Sequence, residues 1–378
     1  MPPSAARSSD GSAAGTAAAC RNRARHNQQG RRLVMMKRLK GAALAALVAT
    51  FAANAAAADV ETDTLSISIG VDLPFLVHVV AKEKGWLAEA GFTNVEFKKF
   101  QSGNLAGEAL LAGEIQLWTP GNLPPIAMAH NGVPVVILGS NAVSHGLEKI
   151  VVRKDANVEK PEDLYNVKLG LLVSSTSGAL LGNVAEHYGL DFNKIQAVNL
   201  APPEAMASLA NNEIQGIVFW EPWPYRALTE LDTEVVHTGT VSGFAQNDGE
   251  KVQVSNNRTV WVASQDWVRD NPNAAKALVE VLVRTQKYVS DPANRDEVLT
   301  IFSDFQEQPL EMNQALLSNY TFDASIDETY VEDMAAITDF LEATNRIKDR
   351  RDALSFTYSE PLAAADSALV SVEGQWKP

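Results

Sequence analysis

Two stretches hold the residues best suited to gripping a small molecule: 113-GEIQLWTPGNLPPIAMAHNGVPV-135 and 213-EIQGIVFWEPWPYRA-227. Each reads as a short apolar strand ending in a loop of Trp, Pro and small polar residues, with a helix behind it. In open α/β sheets ligands sit outside the carboxyl ends of strands, where such loops gather. In the first stretch the candidates are Trp118, Thr119, Gly121 and Asn122; Asn or Thr there can cap the next helix, and free amides at a helix start also attract anions. In the second, Trp220 and Glu221 close the strand, and Pro222 and Pro224 stiffen the loop. Glu221 either faces a ligand amine or pairs with a basic residue.

A third candidate is the run Ser174, Ser175, Thr176, Ser177 between a strand and a helix. One hydroxyl serves as the cap; four exceed what capping needs, and small hydroxyls let an anion approach backbone N–H groups. Leu73, Pro74 and Phe75 follow the first strand and read as a buried turn or a cleft wall. His145, in 140-SNAVSHG-146, is a lone histidine near a chain crossing, either structural or a donor to ligand. His78 and His130 read as structural residues on helices. Arg153, Arg226 and Arg258 are possible counter-charges, with surface or hinge pairing an equal explanation for Arg258.

None of these loops carries an obvious nucleophile, metal cluster or acid–base pair. The chain lacks H-E-x-x-H, P-loop, G-x-S-x-G and G-x-G-x-x-G motifs. Binding rather than catalysis is expected, with no cofactor and no metal.

The elements that position these loops alternate strand and helix from Leu65 to Thr238. Repeated βαβ units make an α/β fold with mostly parallel sheets and helices on both faces. After Val260–Ala263 the chain turns helical, with Pro272–Ser290 and Glu328–Thr344 the longest runs. The length beyond the leader, about 320 residues, is natural for two lobes.

The N-terminus reads as a leader. Residues 1–34 are rich in Ala, Ser and Arg; Lys37, Arg38 and Lys40 then precede an apolar run, Ala42–Ala53, and small residues at 55–58. Basic flank, apolar run and small-residue exit in that order predict a signal peptide at about 36–58, with Asp59 as the mature N-terminus. The single Cys, Cys20, lies upstream, so the mature chain has no thiol chemistry. The leader carries nine Lys/Arg and one Asp, a net +8, so the chain's −14 becomes −22 without it. Such a surface repels nucleic acid and anionic lipid and gives no long-range attraction to an anionic ligand. Local donors would have to hold one. A soluble periplasmic monomer is expected.

Over residues 65–345 the chain resembles type II periplasmic substrate-binding proteins of ABC importers, in the nitrate, taurine and sulfonate (NMT1/THI5-like) branch. The likeness rests on 70-GVDLPFLVHVVAKEKGWLAEAGF-92, on Gly113 through Pro134 with Gln116 in place of the usual Asp, on Lys160-Pro161-Glu162-Asp163-Leu164 with Lys168-Leu169-Gly170, and on 219-FWEPWPYRA-227. The resemblance implies two lobes joined by two crossovers and closing on a ligand by hinge motion. Lobe one is expected at 59–152 plus 259–378 and lobe two at 153–258. It also implies that the Ser174–Ser177 segment holds the ligand's oxyanion head, and that an inner-membrane ABC permease is the partner. An organosulfonate is the first ligand expected; an aromatic carboxylate or a thiamine-type pyrimidine is the alternative, as is a ligand-sensing partner of a membrane receptor.

Overall fold

The computed structural model describes residues 60–378, apart from 101, 145 and 256. The leader, its signal peptide and Cys20 lie outside the described residues, as does His145. The described chain begins with β1 (Thr64–Ile69), α1 (Leu76–Glu83), β2 (Asn94–Lys99), α2 (Gly103–Leu111) and α3 (Leu123–His130). β3 (Val135–Ser144) and β4 (Lys149–Arg153) lead into β5 (Lys168–Leu171), α4 (Thr176–His187), β6 (Gln196–Asn199), α5 (Pro202–Ala210), β7 (Gly216–Phe219), α6 (Trp223–Glu230) and β8 (Thr233–His237). The return passes through β9 (Asn257–Ser264) to α7 (Pro272–Ser290), α8 (Arg295–Gln306), β10 (Tyr320–Thr321) and α9 (Glu328–Ala343), with shorter helices between.

Both lobes follow one plan. In the second, the strand order is β6-β5-β7-β4-β8, with β5 parallel to β6 and β7, and β4 antiparallel to β7 and β8. In the first, β2 and β1 are parallel, bridges at Ile67–Leu117 and Trp118–Val262 stitch the 117–118 segment between β1 and β9, and β3 lies antiparallel to β9. Each sheet is therefore a mostly parallel set with one reversed strand inside it, and in the first the two-residue β10 at the edge also runs antiparallel to β3. That strand is the one arriving from the other lobe: β4 in the second sheet, β9 in the first. Strand–helix alternation does not reveal such a reversal, because the reversed strand has the same apolar pattern as its neighbours.

The pairing also moves a boundary. A limit at 152/153 leaves β4 with lobe one, but β4 pairs wholly within the second sheet, so the outward crossing lies between Ser144 and Lys149. The return crossing enters β9 at Asn257, which pairs with Ser144, so the two crossovers run side by side.

Burial explains why the elements hold. β1 is buried on both faces from Leu65 onward, as a central strand must be. α7 starts with Pro272 in its first turn and buries Ala275, Leu278, Val279, Leu282 and Val283 at helical spacing. Full burial of each large side chain there contributes about 1.5–3 kcal/mol. The lobe-two sheet separates two smaller cores, one around Leu169, Leu180 and Phe244 and one around Leu209, Ile217 and Phe219. α9 packs against α3 of lobe one and α4 of lobe two. Phe340 stands where a Cβ on Gly182 would lie, 2.7 Å from its ring edge, so the glycine lets the two helices approach. No described helix is long and apolar enough to cross a membrane.

Candidate functional site

The carboxyl ends of β1, β2, β5 and β7 converge on a cavity of about 320 Å³ between the lobes. Lobe one contributes Phe75, Phe100 and Trp118; lobe two contributes Trp220 and Trp223. The volume is at the lower end of small-molecule sites, and aromatic walls with few polar groups are the usual composition of such sites.

The first-lobe floor is built by hydrogen bonds from behind. The Thr119 amide donates to Ser68 Oγ at 3.2 Å, and Thr119 Oγ1 lies 2.8 Å from His78 Nε2. Ser68 and Thr119 line the cavity. His78 is fully buried, its Nδ1 has no partner among the described residues, and burial lowers its pKa to about 3, so the ring is neutral. Its ring meets Phe75 edge-on at 6.0 Å. Of the turn Leu73–Phe75, only Phe75 reaches the cavity. Leu73 and Pro74 are buried away from it, and the Pro74 carbonyl accepts from Asn141 Nδ2 at 3.0 Å.

The Ser174–Ser177 run divides into four different environments. Ser174 is exposed and its Oγ accepts from Asn104 Nδ2 at 2.7 Å, a direct contact between the lobes. Ser175 caps α4: its Oγ accepts from the Ser177 amide at 3.2 Å and donates to the Leu172 carbonyl at 2.8 Å. Thr176 Oγ1 accepts from Asn257 Nδ2 at 3.3 Å, the same amide that donates to the Glu148 carboxylate. Ser177 is fully buried and its hydroxyl has no partner among the described residues. Only Ser175 and Thr176 line the cavity, and both hydroxyls are already engaged. The Thr176 amide, first in the helix, has no intrahelical acceptor and carries the positive end of the α4 dipole.

Glu221 does not line the cavity. Its carboxylate pairs with Lys149 and accepts from the Tyr225 amide at 2.8 Å, the structural alternative rather than a ligand contact. Asn122 is fully buried with no side-chain partner among the described residues, and it too stands off the cavity. Trp118, Thr119, Gly121 and Trp220 do line it. Arg258 is buried against Asp333, with Nη2 to Oδ2 at 2.9 Å, and Arg153 pairs with Asp155 at 2.9 Å; neither lines the cavity.

Charge in the wall comes from residues that loop chemistry alone did not single out. Among the described lining residues the charged side chains are Asp72 and Lys99. Asp72 directly precedes the turn at 73–75, and Lys99 ends β2. The rule that ligands lie beyond strand ends locates both positions but does not say which residue turns inward. Burial pushes the Asp72 carboxyl up to about 7.

Beneath the α4 start the two crossovers are tied together. Glu148 Oε1 accepts from Asn257 Nδ2 at 2.5 Å and Oε2 from Ser255 Oγ at 3.2 Å. Burial raises the Glu148 pKa, and these donors oppose the rise. Among the described residues no group of three or more His, Cys, Asp or Glu is placed to hold a metal ion.

Residues 58–303 match the NMT1-like family, and the chain belongs to it. The taurine-binding periplasmic protein of Escherichia coli (strain K12) is 27% identical over 216 residues, covering 56% of this chain and 63% of that relative. The chain spans less than two thirds of the length of the curated relatives it matches. The fold is that of the alkanesulfonate-binding protein SsuA from Xanthomonas axonopodis pv. citri, solved bound to MOPS: TM-score 0.66 at 16% identity, covering 79% of this chain and 99% of that one. The periplasmic nitrate-binding protein NrtA from Synechocystis PCC 6803 superposes with TM-score 0.66 at 17% identity, covering 82% and 90%.

Proposed function

We propose that this NMT1-like protein is an exported, soluble receptor that captures a small organic oxyanion between its lobes and delivers it to an ABC permease. The observation that carries the reading is the interlobe cavity, with aromatic walls from both lobes and the start of α4 opening on it. A free amide at the positive end of a 12-residue helix holds an oxyanion without a formal counter-charge. The Thr119 hydroxyl adds a donor from lobe one, and Lys99 stands at the cavity wall. This arrangement answers the problem set by an acidic surface, which cannot attract an anion from a distance.

Several lines support binding over catalysis. The relatives named above are binding proteins, and the buried His78 that touches the Thr119 hydroxyl has, among the described residues, no carboxylate on its other ring nitrogen to orient it as a base. The aromatic walls favour an organic body over a bare inorganic anion, which makes an organosulfonate the first ligand to test. An aromatic carboxylate suits the same walls. The leader pattern and the periplasmic relatives support export.

A thermal-shift screen of sulfonates, carboxylates, nitrate and thiamine-type pyrimidines tests the reading. A ligand present at a hundred times its dissociation constant stabilises by about 2.7 kcal/mol, a shift that such a screen resolves. No stabilisation by any oxyanion in the panel would overturn it.

A further inference from the structure

We infer that Arg346 is a positioning residue for the ligand site: from lobe one it reaches across the rear of the cleft, holds the lobe-two loop that carries the α4 start, and latches the lobes together by a contact that needs no ligand. The inference rests on the reading of the interlobe cavity as a ligand site and names a residue outside that cavity on which the site's geometry depends.

The backbone of Arg346 is fixed to lobe one. α9 ends in a paired turn: Asn345 takes the left-handed conformation, φ 53°, its amide donates to the Glu342 carbonyl at 3.0 Å, and the Arg346 amide donates to the Leu341 carbonyl at 2.8 Å. The Arg346 carbonyl accepts from Asn131 Nδ2 at 3.0 Å, just past α3. An arginine near a helix C-terminus can turn back onto that helix's own last carbonyls. This side chain instead donates from Nη1 to the Val173 carbonyl at 2.9 Å, 173 residues away and in lobe two.

The acceptor belongs to the loop that builds the ligand site. The Val173 amide donates to Asn199 Oδ1 at 3.1 Å, and the preceding Leu172 carbonyl accepts from Ser175 Oγ at 2.8 Å. A Cβ on Gly178 would lie 2.1 Å from the Val173 oxygen, so that oxygen is seated against the first turn of α4. Moving it moves the start of the helix. The next residue, Ser174, accepts from Asn104 of lobe one. Lobe one therefore holds residues 173 and 174 from two sides, with Asn104 in the cavity wall and Arg346 behind it.

Behind the cavity the lobes stand apart around a second space of about 1020 Å³, with Thr176 and Asn257 in the walls of both. Phe340 against Gly182 and Arg346 against Val173 bridge it. The Arg346 guanidinium lies over the Phe340 ring at 5.4 Å and forms no ion pair among the described residues; burial lowers its pKa and no carboxylate opposes the fall. A half-buried cation of this kind gains from the Val173 carbonyl only while the lobes are together. The bond therefore favours the closed form, and a ligand that binds that form gains affinity from it.

Spin labels at one exposed position in each lobe, Glu108→Cys and Ala207→Cys, test this, with Cys20→Ser removing the native thiol. Pulsed electron–electron distance measurements on the ligand-free protein should show one dominant short distance. Arg346→Ala and Arg346→Met, the second of which keeps an apolar stem on Phe340, should both shift population to a longer distance. A long distance dominating in the ligand-free protein with Arg346 intact, or an unaltered distribution in either variant, would overturn the inference; a lower melting temperature alone would make Arg346 a support of lobe one and no latch. Titration calorimetry with ethanesulfonate should show binding at least about 10-fold weaker in both variants, the factor carried by one hydrogen bond to a charged group. Equal affinity in variants that have opened would detach Arg346 from the ligand site and overturn its positioning role. If ethanesulfonate fails to bind the wild type, the sulfonate reading falls, while the ligand-free distances still decide the latch.

Discussion

His78 Nε2 lies 2.8 Å from Thr119 Oγ1, with the histidine fully buried and the threonine in the cavity wall. Which atom donates decides what Thr119 offers a ligand. If the proton sits on Nδ1, a buried N–H goes unpaired and Thr119 gives its own proton to the ring. If it sits on Nε2, the orphan is a lone pair and the Thr119 hydroxyl is free to donate into the cavity. Unpaired buried N–H groups are the rarer of the two defects.

The first prediction is therefore the Nε2–H tautomer, neutral across pH 5 to 8. Long-range ¹H–¹⁵N correlation spectra of the imidazole report it directly. An Nδ1–H tautomer would show that Thr119 faces the ligand as an acceptor.

Asp72 and pH supply the second. Its folded pKa of about 7 stands above the ordinary carboxylate value near 3.9. For a raised carboxyl the unfolded chain ionises first, so the folded state loses stability as pH rises from about 4 to about 7, and the penalty is fully present above that. Asp72→Asn removes the penalty. The ligand-free variant should melt at a higher temperature than wild type at pH 8, with a much smaller difference at pH 4.5. An equal difference at both pH values would remove Asp72 ionisation as the cause.

The buried pair Arg258–Asp333 is the third. Arg258 donates from Nε to Asp333 Oδ2 at 3.0 Å and from Nη1 to Ser140 Oγ at 3.0 Å, away from the cavity. Removing one partner of such a pair leaves an uncompensated buried charge, at a cost of about 3–5 kcal/mol. Asp333→Ala should lose that much in urea denaturation and keep ligand affinity in the fraction that folds. A large loss of affinity with unchanged stability would return Arg258 to the ligand site.

Asn257 and Glu148 give a fourth, at the hinge. Asn257→Ala strips a donor from Glu148 and Thr176, a loss of about 1–3 kcal/mol for buried partners left unpaired. Asn257→Asp sets two carboxyl groups together and should be more destabilising at pH 8 than at pH 5. Denaturation curves for the two variants at both pH values check the order; an Asn257→Ala protein as stable as wild type would show that the crossovers are not joined through this contact.

Much of this architecture was legible in the sequence. The helix limits Pro272–Ser290 coincide with those observed, because apolar period and Pro or Gly punctuation set them locally. Which sheet a strand joins is a non-local property, and β4 shows it: its apolar run fits either lobe, and pairing with β7 and β8 decides. The site loops were legible to the level of the loop. Within them, Phe75, Trp118, Thr119, Gly121, Ser175, Thr176 and Trp220 turn inward, while Leu73, Pro74, Asn122, Ser177 and Glu221 do not. The difference lies in packing partners such as Lys149 for Glu221 and Asn141 for Pro74, 72 and 67 residues away in sequence. A single charged residue near a strand end, such as Asp72 or Lys99, has the same sequence signature as ordinary surface.

The central claim is that the cavity between the lobes is the ligand site. Gly121 lies in its wall, where a Cβ would stand 3.1 Å from both Asn257 Oδ1 and Thr176 Cγ2, so a larger side chain there intrudes between the lobes without backbone strain. Titration calorimetry of the best oxyanion ligand into wild type and Gly121→Leu tests the claim most directly. The account predicts one saturable site in the wild type and at least about a 100-fold loss in the variant, roughly 2.7 kcal/mol, with the circular dichroism spectrum retained. Equal affinity in a folded Gly121→Leu protein would place the ligand outside the cleft and contradict the account.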